Sequence, residues 1–594
     1  MSSDNPSAFL GVARSASGRR WRLRDADPGE AARIAERLAL PDIVARLLAQ
    51  RGIGVDAAPA YLAPRLRDQL PDPAHLRDMT AAVGRLVRAV RDGEKIVVFG
   101  DYDVDGATSA ALLLRFFAAV GGDASVYVPD RLREGYGPNA PALLRLKEAG
   151  ADVVVTVDCG ATAHEPLAAA EAAGLDVIVV DHHVTEPALP PALALINPNR
   201  LDDDSPHGAL AAIGVAFLLV VALNRALREA GWYGARPEPD LLQWLDLVAL
   251  GTVCDVVPLV GLNRAFVAQG IKVARGMGNP GLGALAAVGG VKEPIDAYHL
   301  GFVLGPRVNA GGRVGAADLG ARLLATDDPA LAADLATRLD GYNRERREIE
   351  AQPQSPALVF AAAEGWHPGV IGIVAARLKE RYERPACVVA LSGSTGDGIG
   401  KGSGRSVPGV ALGPAVIAAR QAGFLINGGG HAMAAGFTVD AGRLDALREF
   451  LAERLGDGRE GERAVPELAI DGALSAAGAV SGLIEHIEAL APFGAANPEP
   501  RFAFPGVCVE HVEPVGSGGH LRLTLADMPG STPGAKARLK AIAFRVADTP
   551  LGAFLGAARG RAIHVAGHLR RDTYRGGDAV QLLIDDAAPV EGRS

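Results

Sequence analysis

The sequence predicts an α/β protein in which a parallel-sheet domain is followed by a long linking helix, a second α/β domain and a small C-terminal β-barrel. Three observations carry this prediction. Short β-branched runs alternate with helical segments between Lys95 and Asn197, which is typical of βαβ units. A charged helical pattern runs unbroken from Asp327 to Gln352. Five short strand-like runs separated by Gly and Pro turns follow Pro466.

The same changes of pattern place the domain boundaries. We expect a helical lead-in over residues 1–75, the first α/β domain over 76–325, the linking helix over 326–352, the second α/β domain over 353–465 and the β-barrel over 466–594. The predicted strands of the first domain are Ile96–Phe99, Ser125–Val128, Val153–Val157, Val177–Val180 and Ala194–Ile196. Those of the barrel are Val507–Val512, Leu521–Leu525, Ala541–Val546, Ile563–Leu569 and Ala579–Ile584.

Composition narrows the class of protein. Of 594 residues, 49% are hydrophobic and 22% are charged, as in ordinary globular domains. No apolar targeting segment follows Met1, and the longest uncharged apolar run, Gly208 to Leu223, is shorter than the roughly 18 residues of a membrane span. The 4 cysteines lack the spacing of a zinc site or a disulfide framework. We therefore expect a cytoplasmic protein with no membrane partner.

The charge changes sign towards the end of the chain. The whole sequence carries a net charge of −9, whereas residues 501–594 contain 12 Lys and Arg against 9 Asp and Glu. Within that stretch, Arg570-Arg571-Asp572-Thr573-Tyr574-Arg575 interleaves cations with an aromatic ring. Short strands with basic content fit a barrel of the oligonucleotide-binding type. The alternative is a solvated hairpin in a β-sandwich that binds no ligand.

Acidic and imidazole side chains follow the predicted strands of the first domain. They are Asp101, Asp103, Asp105, Asp158, His182 and His183. Because the carboxyl ends of parallel strands share one edge, we expect these groups to lie together. Crowded carboxylates repel each other unless a cation compensates them, and mixed Asp and His ligands favour Mn²⁺ or Mg²⁺ over zinc. Two neighbouring ions can clamp a phosphodiester, so the pattern predicts phosphoester hydrolysis.

The Asp-rich loop has competing interpretations. Alternate residues of an extended chain point the same way, so Asp103 and Asp105 can address adjacent cations, and we expect Thr108 or Ser109 to cap the helix that follows. An EF-hand loop also begins with this pattern, but its twelfth position should be Glu and is Leu112 here. An isolated acid after a strand is often only a helix cap.

One further residue and one further segment are weaker candidates for the functional site. Asp255 follows a helix rather than a strand. The glycine-rich stretch Gly400–Arg405 predicts a loop whose exposed N–H groups form an anion nest, to which Arg405 adds a guanidinium suited to phosphate.

Together these segments resemble the DHH phosphoesterase superfamily, and within it the RecJ-type single-strand-specific exonucleases. The resemblance covers about residues 80–590. It rests on Gly100–Ser109, the strand ending at Asp158, Asp181-His182-His183, Gly251–Pro258, Gly365–Gly372, Gly402–Ser406 and Gly428–Ala432. It implies a DHH domain, a linking helix, a DHH-associated domain and an oligonucleotide-binding-type barrel.

The resemblance also implies roles for individual residues. The implied metal ligands are Asp103, Asp105, Asp158, His182 and Asp255, with Asp158 bridging two ions, and the implied neighbour of the substrate phosphate is His183. Asp101 lies where other members of the superfamily use histidine, with a different spacing. The implied substrate contacts are Arg131, Arg307, Asn309, Arg313, Ser403, Arg405 and His431. Of these, Arg131, Ser403 and Arg405 would hold a 5′-terminal phosphate.

The implied function is a 5′→3′ exonuclease that degrades single-stranded DNA with two Mn²⁺ or Mg²⁺ ions, in DNA repair and recombination. The implied partners are single-stranded DNA, a single-strand-binding protein and a helicase. Another DHH phosphoesterase, such as a pyrophosphatase, an oligoribonuclease or a cyclic-dinucleotide phosphodiesterase, would lack the basic third domain. A non-catalytic replication scaffold would have lost ligands that are all present here. DNA and RNA both remain open, because the 2′-hydroxyl is distinguished by local sterics.

Overall fold

The computed structural model resolves two compact units. The terminal unit combines Met1–Arg65 with Arg463–Ser594, and the central unit is Leu66–Glu462. The described residues are 8–130, 134–135, 137–314, 316–350, 358–364, 366, 368–382, 384–392, 398–456, 465–516, 518–528, 537–572 and 579–590.

The N-terminal part of the terminal unit is a strand and three helices. They are β1 (Arg20–Leu23), α1 (Pro28–Leu38), α2 (Asp42–Gln50) and α3 (Ala58–Leu62). Helix α1 begins where it does because the carboxylate of Asp27 accepts a hydrogen bond from the N–H of Gly29 (2.8 Å), a favoured N-cap arrangement. The buried side chains of Ile34, Leu47 and Leu48 belong to the barrel core. The predicted helical lead-in, residues 1–75, therefore supplies part of the barrel core.

The first half of the central unit is the predicted parallel sheet. Its elements are α4 (Leu66–Gln69), α5 (Met79–Asp92), β2 (Lys95–Gly100), α6 (Val104–Val120), β3 (Asp123–Tyr127), α7 (Ala140–Glu148), β4 (Val153–Val157), α8 (His164–Ala172), β5 (Asp176–Val180) and β6 (Ala194–Ile196). The strand order is β3-β2-β4-β5-β6, and every pair is parallel. Strand β4 is buried along its whole length, which explains its unbroken β-branched run.

Helices complete the first domain. They are α9 (Ala212–Glu229), α10 (Leu245–Cys254), α11 (Gly261–Arg275), α12 (Pro280–Val288), a π-helix (His299–Leu304), α13 (Gly305–Val314), α14 (Leu319–Ala325) and α15 (Pro329–Glu350). The predicted long helix is confirmed as α15, which packs against α12, α13 and α14. In the part of the chain that the structure describes, no helix combines the length and hydropathy needed to cross a membrane.

The second α/β domain is a five-stranded sheet with helices. Its elements are β7 (Val359–Glu364), α16 (Ile371–Tyr382), β8 (Ala386–Ser392), β9 (Ile399–Arg405), α17 (Leu412–Gln421), β10 (Asn427–His431), β11 (Ala434–Asp440) and α18 (Leu444–Gly456). The strand order is β10-β11-β9-β8-β7. Strands β7 and β8 are parallel and the other neighbours are antiparallel.

The C-terminal part of the terminal unit is the predicted barrel. Its elements are β12 (Glu467–Ile470), β13 (Gly472–Ala473), α19 (Ser481–Ala489), β14 (Phe502–Val515), β15 (His520–Ala526), β16 (Arg538–Ala543), α20 (Pro550–Gly556), β17 (Ala562–Arg571) and β18 (Val580–Pro589). All five predicted strands are confirmed, and β14 closes the barrel by pairing with both β15 and β17. Strand β1 pairs with β12, and the indole N–H of Trp21 donates to the carboxylate of Asp586 (3.0 Å).

Candidate metal centre and substrate cleft

Helix α6 begins five or six residues earlier than predicted. Asp103 is the N-cap, and its carboxylate accepts a hydrogen bond from the N–H of Gly106 (3.1 Å). The prediction that Thr108 or Ser109 caps this helix is therefore wrong, because a short acidic side chain is already placed to satisfy the first free N–H groups. Asp105 lies in the first helical turn, so the predicted extended arrangement of alternate carboxylates is also wrong.

Asp105 is buried against the start of α9. Its carboxylate accepts hydrogen bonds from the N–H groups of Ala212 (2.7 Å) and Ile213 (2.9 Å). Burial and the nearby charges of Asp255 and Asp103 nevertheless hold the pKa of Asp105 well above its usual range. The helix N-terminus compensates the charge only in part, so an ionised Asp105 needs a further positive charge.

Asp158 follows β4 in the left-handed region, with φ of 61°, which Asp tolerates better than most residues. Its backbone N–H donates to the carbonyl of Val180 (3.0 Å), so the ends of β4 and β5 stay together. The residue is only 3% exposed. Burial and repulsion from Asp105 and Asp103 raise its pKa well above the usual range. A buried acid on strained backbone is typical of functional sites.

Asp181 holds the two histidines that follow β5. Its carboxylate accepts hydrogen bonds from the backbone N–H groups of His182 (2.8 Å) and His183 (3.2 Å). It also lies 2.7 Å from Nδ1 of the His183 ring. This contact raises the pKa of His183, and the fixed ring lines the cleft described below.

His182 points into the carboxylates. Its Nε2 atom lies 3.3 Å from Asp158, 3.6 Å from Asp255 and 3.8 Å from Asp105. This buried nitrogen has no hydrogen-bond partner among the described residues. Burial and the neighbouring His183 lower the pKa of His182, which favours the neutral ring that ligates metals.

The donor atoms form three sets, each within 4.8 Å. The sets are Asp158, His182 and His183; Asp105, His182 and Asp255; and Asp101, Asp103 and Asp158. Asp158 and His182 are each shared by two sets, and the two oxygens of the Asp158 carboxylate would let it serve two neighbouring ions. Burial raises the thiol pKa values of the adjacent Cys159 and Cys254, so neither offers a thiolate. The Nε2 atom of His182, which has no hydrogen-bond partner among the described residues, lies among carboxylates with raised pKa values. This arrangement fits divalent cations that prefer oxygen and imidazole ligands.

A cleft of about 920 Å³ within the central unit separates this cluster from the second sheet. One side is lined by Asp101, Asp103, Asp158, His183 and Asp255. The other side includes Ser403 and Arg405 on β9, where the guanidinium of Arg405 donates to the hydroxyl of Ser403 (3.2 Å). Gly372, in the first turn of α16, leaves room for both, since a Cβ there would lie 3.2 Å from the Ser403 hydroxyl. Acidic and anion-binding groups therefore face one cavity.

Comparison with known proteins assigns each part of the chain. Residues 95–252 match the DHH family, N-terminal domain, residues 355–457 match the DHHA1 domain, and residues 470–586 match the RecJ OB domain. Single-stranded-DNA-specific exonuclease RecJ of Dickeya dadantii is 38% identical over 575 residues, which cover 93% of this chain and 97% of the relative. The chain belongs to the RecJ family.

Further relatives in the RecJ family agree. The Escherichia coli RecJ exonuclease is 35% identical over 582 residues, covering 93% of this chain and 96% of the relative. The crystal structure of Thermus thermophilus RecJ in complex with Mn²⁺ superposes with a TM-score of 0.72 at 30% identity, covering 96% of this chain and 79% of that one. The Mg²⁺ complex gives a TM-score of 0.68 at 29% identity, covering 96% and 78%. A RecJ-family metal-dependent exonuclease fits the donor cluster described above.

The glycine-rich RecJ segment Gly400–Arg405 is a strand and not a loop. It is β9, paired with β11 on one side and β8 on the other, so its N–H groups belong to the sheet and the predicted anion nest is wrong. The glycines serve packing, since a Cβ on Gly402 would lie 2.1 Å from the Phe437 ring. Alternate side chains of the strand, Ser403 and Arg405, face the cleft.

The remaining predicted substrate contacts of this RecJ-family chain are dispersed. Arg307 is buried and donates to the carboxylate of Asp340 (2.9 Å). Asn309 lies on the same helix, and its buried Oδ1 has no hydrogen-bond partner among the described residues. His431 is an exposed residue at the end of β10. None of these three is among the residues that line the cleft, and their roles stay predictions. Two predictions fall outside the described structure: Arg131, and the side chain of Arg313.

The cleft also contains polar residues that sequence patterns missed. Lys401, Asn427 and Thr438 line it beside the predicted Ser403. Alternation along β9 was the available signal, because Lys401 stands two residues before Ser403 and shares its face. Asp101 is buried, and its carboxylate lies within ligand distance of the cluster.

Proposed function

We propose that this RecJ-family protein hydrolyses single-stranded DNA from its 5′ end with two divalent cations at the Asp and His cluster. One observation carries the proposal. Carboxylates and imidazoles suited to cations lie across a single cleft from Ser403 and Arg405, which are suited to a phosphate. A metal centre for hydrolysis and a site for a strand end therefore face the same substrate.

The chain's own residues position the scissile phosphate. Neutral His182 and the carboxylates of Asp103, Asp105, Asp158 and Asp255 would hold the cations. When bound, two cations stabilise the charge that develops on the phosphate and activate water. The Asp181 carboxylate keeps the ring of His183 fixed at the cleft wall, where it can donate to a phosphate oxygen.

Recognition of a 5′ end needs extra positive charge, because a terminal phosphate is more negative than an internal diester. The guanidinium of Arg405 and the hydroxyl of Ser403 supply donors, and the N-terminus of α16 adds its dipole at the same wall. Charge-assisted bonds of this kind contribute about 1.5–3 kcal/mol each. Arg131 stays a predicted third donor.

Single-strand selectivity follows from the size of the cleft. Its volume of about 920 Å³ is that of a ligand pocket, so one unpaired strand enters more readily than a duplex. The barrel would add affinity for longer strands. In the described part of the basic cluster, Arg570 pairs with Glu499 and Arg571 pairs with Glu488, so other barrel residues must contribute. A single-strand-binding protein, a helicase and a cytoplasmic location stay predictions.

The proposal is tested by measuring the rate of DNA hydrolysis by the Asp158→Asn variant. This substitution removes one negative charge, and Asn tolerates the left-handed backbone conformation of position 158. We expect a loss of about 1,000-fold or more in rate at saturating Mn²⁺ with strand binding retained. Asp246→Asn, a matched change of a buried acid outside the cluster, should stay active. Activity above a tenth of wild type in Asp158→Asn would overturn the proposal. Faster hydrolysis of RNA or pyrophosphate than of DNA would favour another DHH phosphoesterase.

A further inference from the structure

Three parallel rows of residues cross the second sheet in register. The lysine row is Lys401, Thr438 and Asn427; the glycine row is Ser403, Gly436 and Gly429; the arginine row is Arg405, Ala434 and His431. Alternate residues of a strand share a face, so the three rows lie on one side of the sheet. The whole lysine row, the whole glycine row and Arg405 line the cleft.

The glycine row forms an open floor. A Cβ added to Gly429 or Gly436 would meet no protein atom within 4 Å. Gly402 on β9 differs, since a Cβ there would lie 2.1 Å from the Phe437 ring. Protein packing therefore explains Gly402 but not the two open glycines. Their missing side chains leave space that a ligand can fill against the backbone.

Among the described residues, no acidic side chain pairs with the positive charge of Lys401. Its side chain is exposed, and its ammonium group lies 3.3 Å from the hydroxyl of Thr438. Within the described residues it forms no ion pair, although four aspartates line the same cleft. Buried Arg307, in contrast, is paired with Asp340. An unpaired ammonium in a cleft suits an anionic group of the ligand.

Lys401 and Arg405 lie too far apart to share one phosphate. Arg405 follows Lys401 by four positions along β9, which corresponds to about 13 Å. The contact with Thr438 also directs Lys401 across the sheet rather than along the strand towards Arg405. Each cation therefore addresses a different charge of the bound strand.

We propose that Lys401 binds an internal backbone phosphate of the strand whose terminal phosphate lies at Ser403 and Arg405. The glycine row seats the 5′-terminal nucleotide, the scissile phosphate follows that nucleotide, and the phosphate at Lys401 lies one nucleotide further along the strand. This inference rests on the proposed function and deepens it, because the protein then grips a strand at two phosphates besides the scissile one. Lys401 binds the strand away from the reacting atoms, so its loss raises KM and leaves kcat unchanged.

The Lys401→Gln substitution removes the positive charge of the side chain with little change in side-chain length, and so tests the role of the charge. We expect KM for 5′-phosphorylated single strands to rise about tenfold with kcat retained. The salt dependence of KM should weaken by about one phosphate contact. The matched control is Lys272→Gln, which removes an exposed charge from α11, outside the cleft lining. A wild-type KM in Lys401→Gln, or an equal rise in the control, would overturn the inference.

A methylphosphonate scan locates the contact. Strands in which one phosphate at a time is made neutral should show one internal position that raises wild-type KM about tenfold. In the Lys401→Gln variant, a methylphosphonate at that position should no longer raise KM, whereas methylphosphonates that raise KM at other positions should still do so. The same penalties in both proteins would overturn the inference alone, whereas wild-type protein that hydrolyses no strand would refute the proposed function as well.

The floor has its own test. Gly429→Ala should leave the melting temperature close to wild type, because the added Cβ meets no protein atom within 4 Å, and should raise KM by filling part of the seat. A well-folded Gly429→Ala protein with wild-type KM would rule out the seat.

Discussion

Replacing Asp255 with Asn should make the metal-free protein more stable and, at the same time, inactive. Asp255 ends α10, and its side chain is only 22% exposed. Burial and the charge of Asp103 raise its pKa to about 7, from 3.8 in an unperturbed chain. A negative charge at a helix C-terminus is also unfavourable. The carboxyl group therefore ionises more readily in the unfolded chain than in the folded protein.

The sign and size of the effect follow from this difference in pKa. Below pH 3.8 the group is protonated in both states and its ionisation does not affect stability. Between pH 3.8 and about 7 the folded state loses about 1.4 kcal/mol per pH unit, because only the unfolded chain releases the proton. The loss is on the order of 4 kcal/mol above pH 7 and about 1–2 kcal/mol at pH 5. Asn is uncharged throughout and avoids this loss.

The assay is urea unfolding in a chelator at pH 5 and pH 8.5. We expect Asp255→Asn to exceed wild type by a margin that grows with pH, and added Mn²⁺ to reverse the order, because wild type binds the ion more tightly. The control is Asp246→Asn on the same helix, where burial raises the pKa of Asp246 to about 6. It should also gain stability at high pH, but Mn²⁺ should stabilise it as much as wild type. A less stable metal-free Asp255→Asn at pH 8.5, or a margin independent of pH, would refute the reasoning.

Three further predictions concern the cleft, the core and the two units. Arg405→Ala should raise KM for 5′-phosphorylated strands roughly 10- to 100-fold with a much smaller effect on 5′-hydroxyl strands; equal penalties in steady-state kinetics would mean that Arg405 grips the general backbone. Gly251→Ala should cost about 2 kcal/mol in urea unfolding, because a Cβ would lie 2.3 Å from the Thr108 hydroxyl; wild-type stability would contradict that close packing. Residues 66–462 alone should fold and keep Mn²⁺-dependent hydrolysis but bind long strands weakly; tight binding of long strands by this fragment would give the barrel another role. Truncation at Pro466, in contrast, should lower the solubility of the protein, because the N-terminal helices would remain without the barrel core against which they pack.

The parallel sheet and most of the metal cluster were predictable from the sequence. Strands such as Val153–Val157 are buried on both faces, so their β-branched runs stand out. Residues after such strands meet at one edge of the sheet, so the sequence predicts that Asp158 and His182 lie together. Asp255 follows a helix, where no such rule applies, so only the family resemblance indicated it as a ligand.

Other features depend on contacts between residues distant in the chain. Glycines are rare in strands, so the sequence predicts a loop where the structure has β9. The contact with the Phe437 ring, which leaves no room for a side chain on Gly402, depends on a residue distant in the chain. The role of Arg307 as a substrate contact stays a prediction, and the pairing of its guanidinium with Asp340, 33 positions later, was not evident from the sequence. The sequence of the N-terminal helices contains no functional motif, because these helices pack into the barrel core.

The central claim is that the buried Asp and His cluster removes nucleotides from the 5′ end of a single strand. The most direct measurement follows strands labelled at either the 5′ or the 3′ end, with Mn²⁺, for wild type and Asp158→Asn. We predict that wild type releases the 5′ label first as a mononucleotide, while the 3′ label stays on strands of decreasing length, and that Asp158→Asn releases neither. Release of the 3′ label first, or release by Asp158→Asn at the wild-type rate, would contradict the claim.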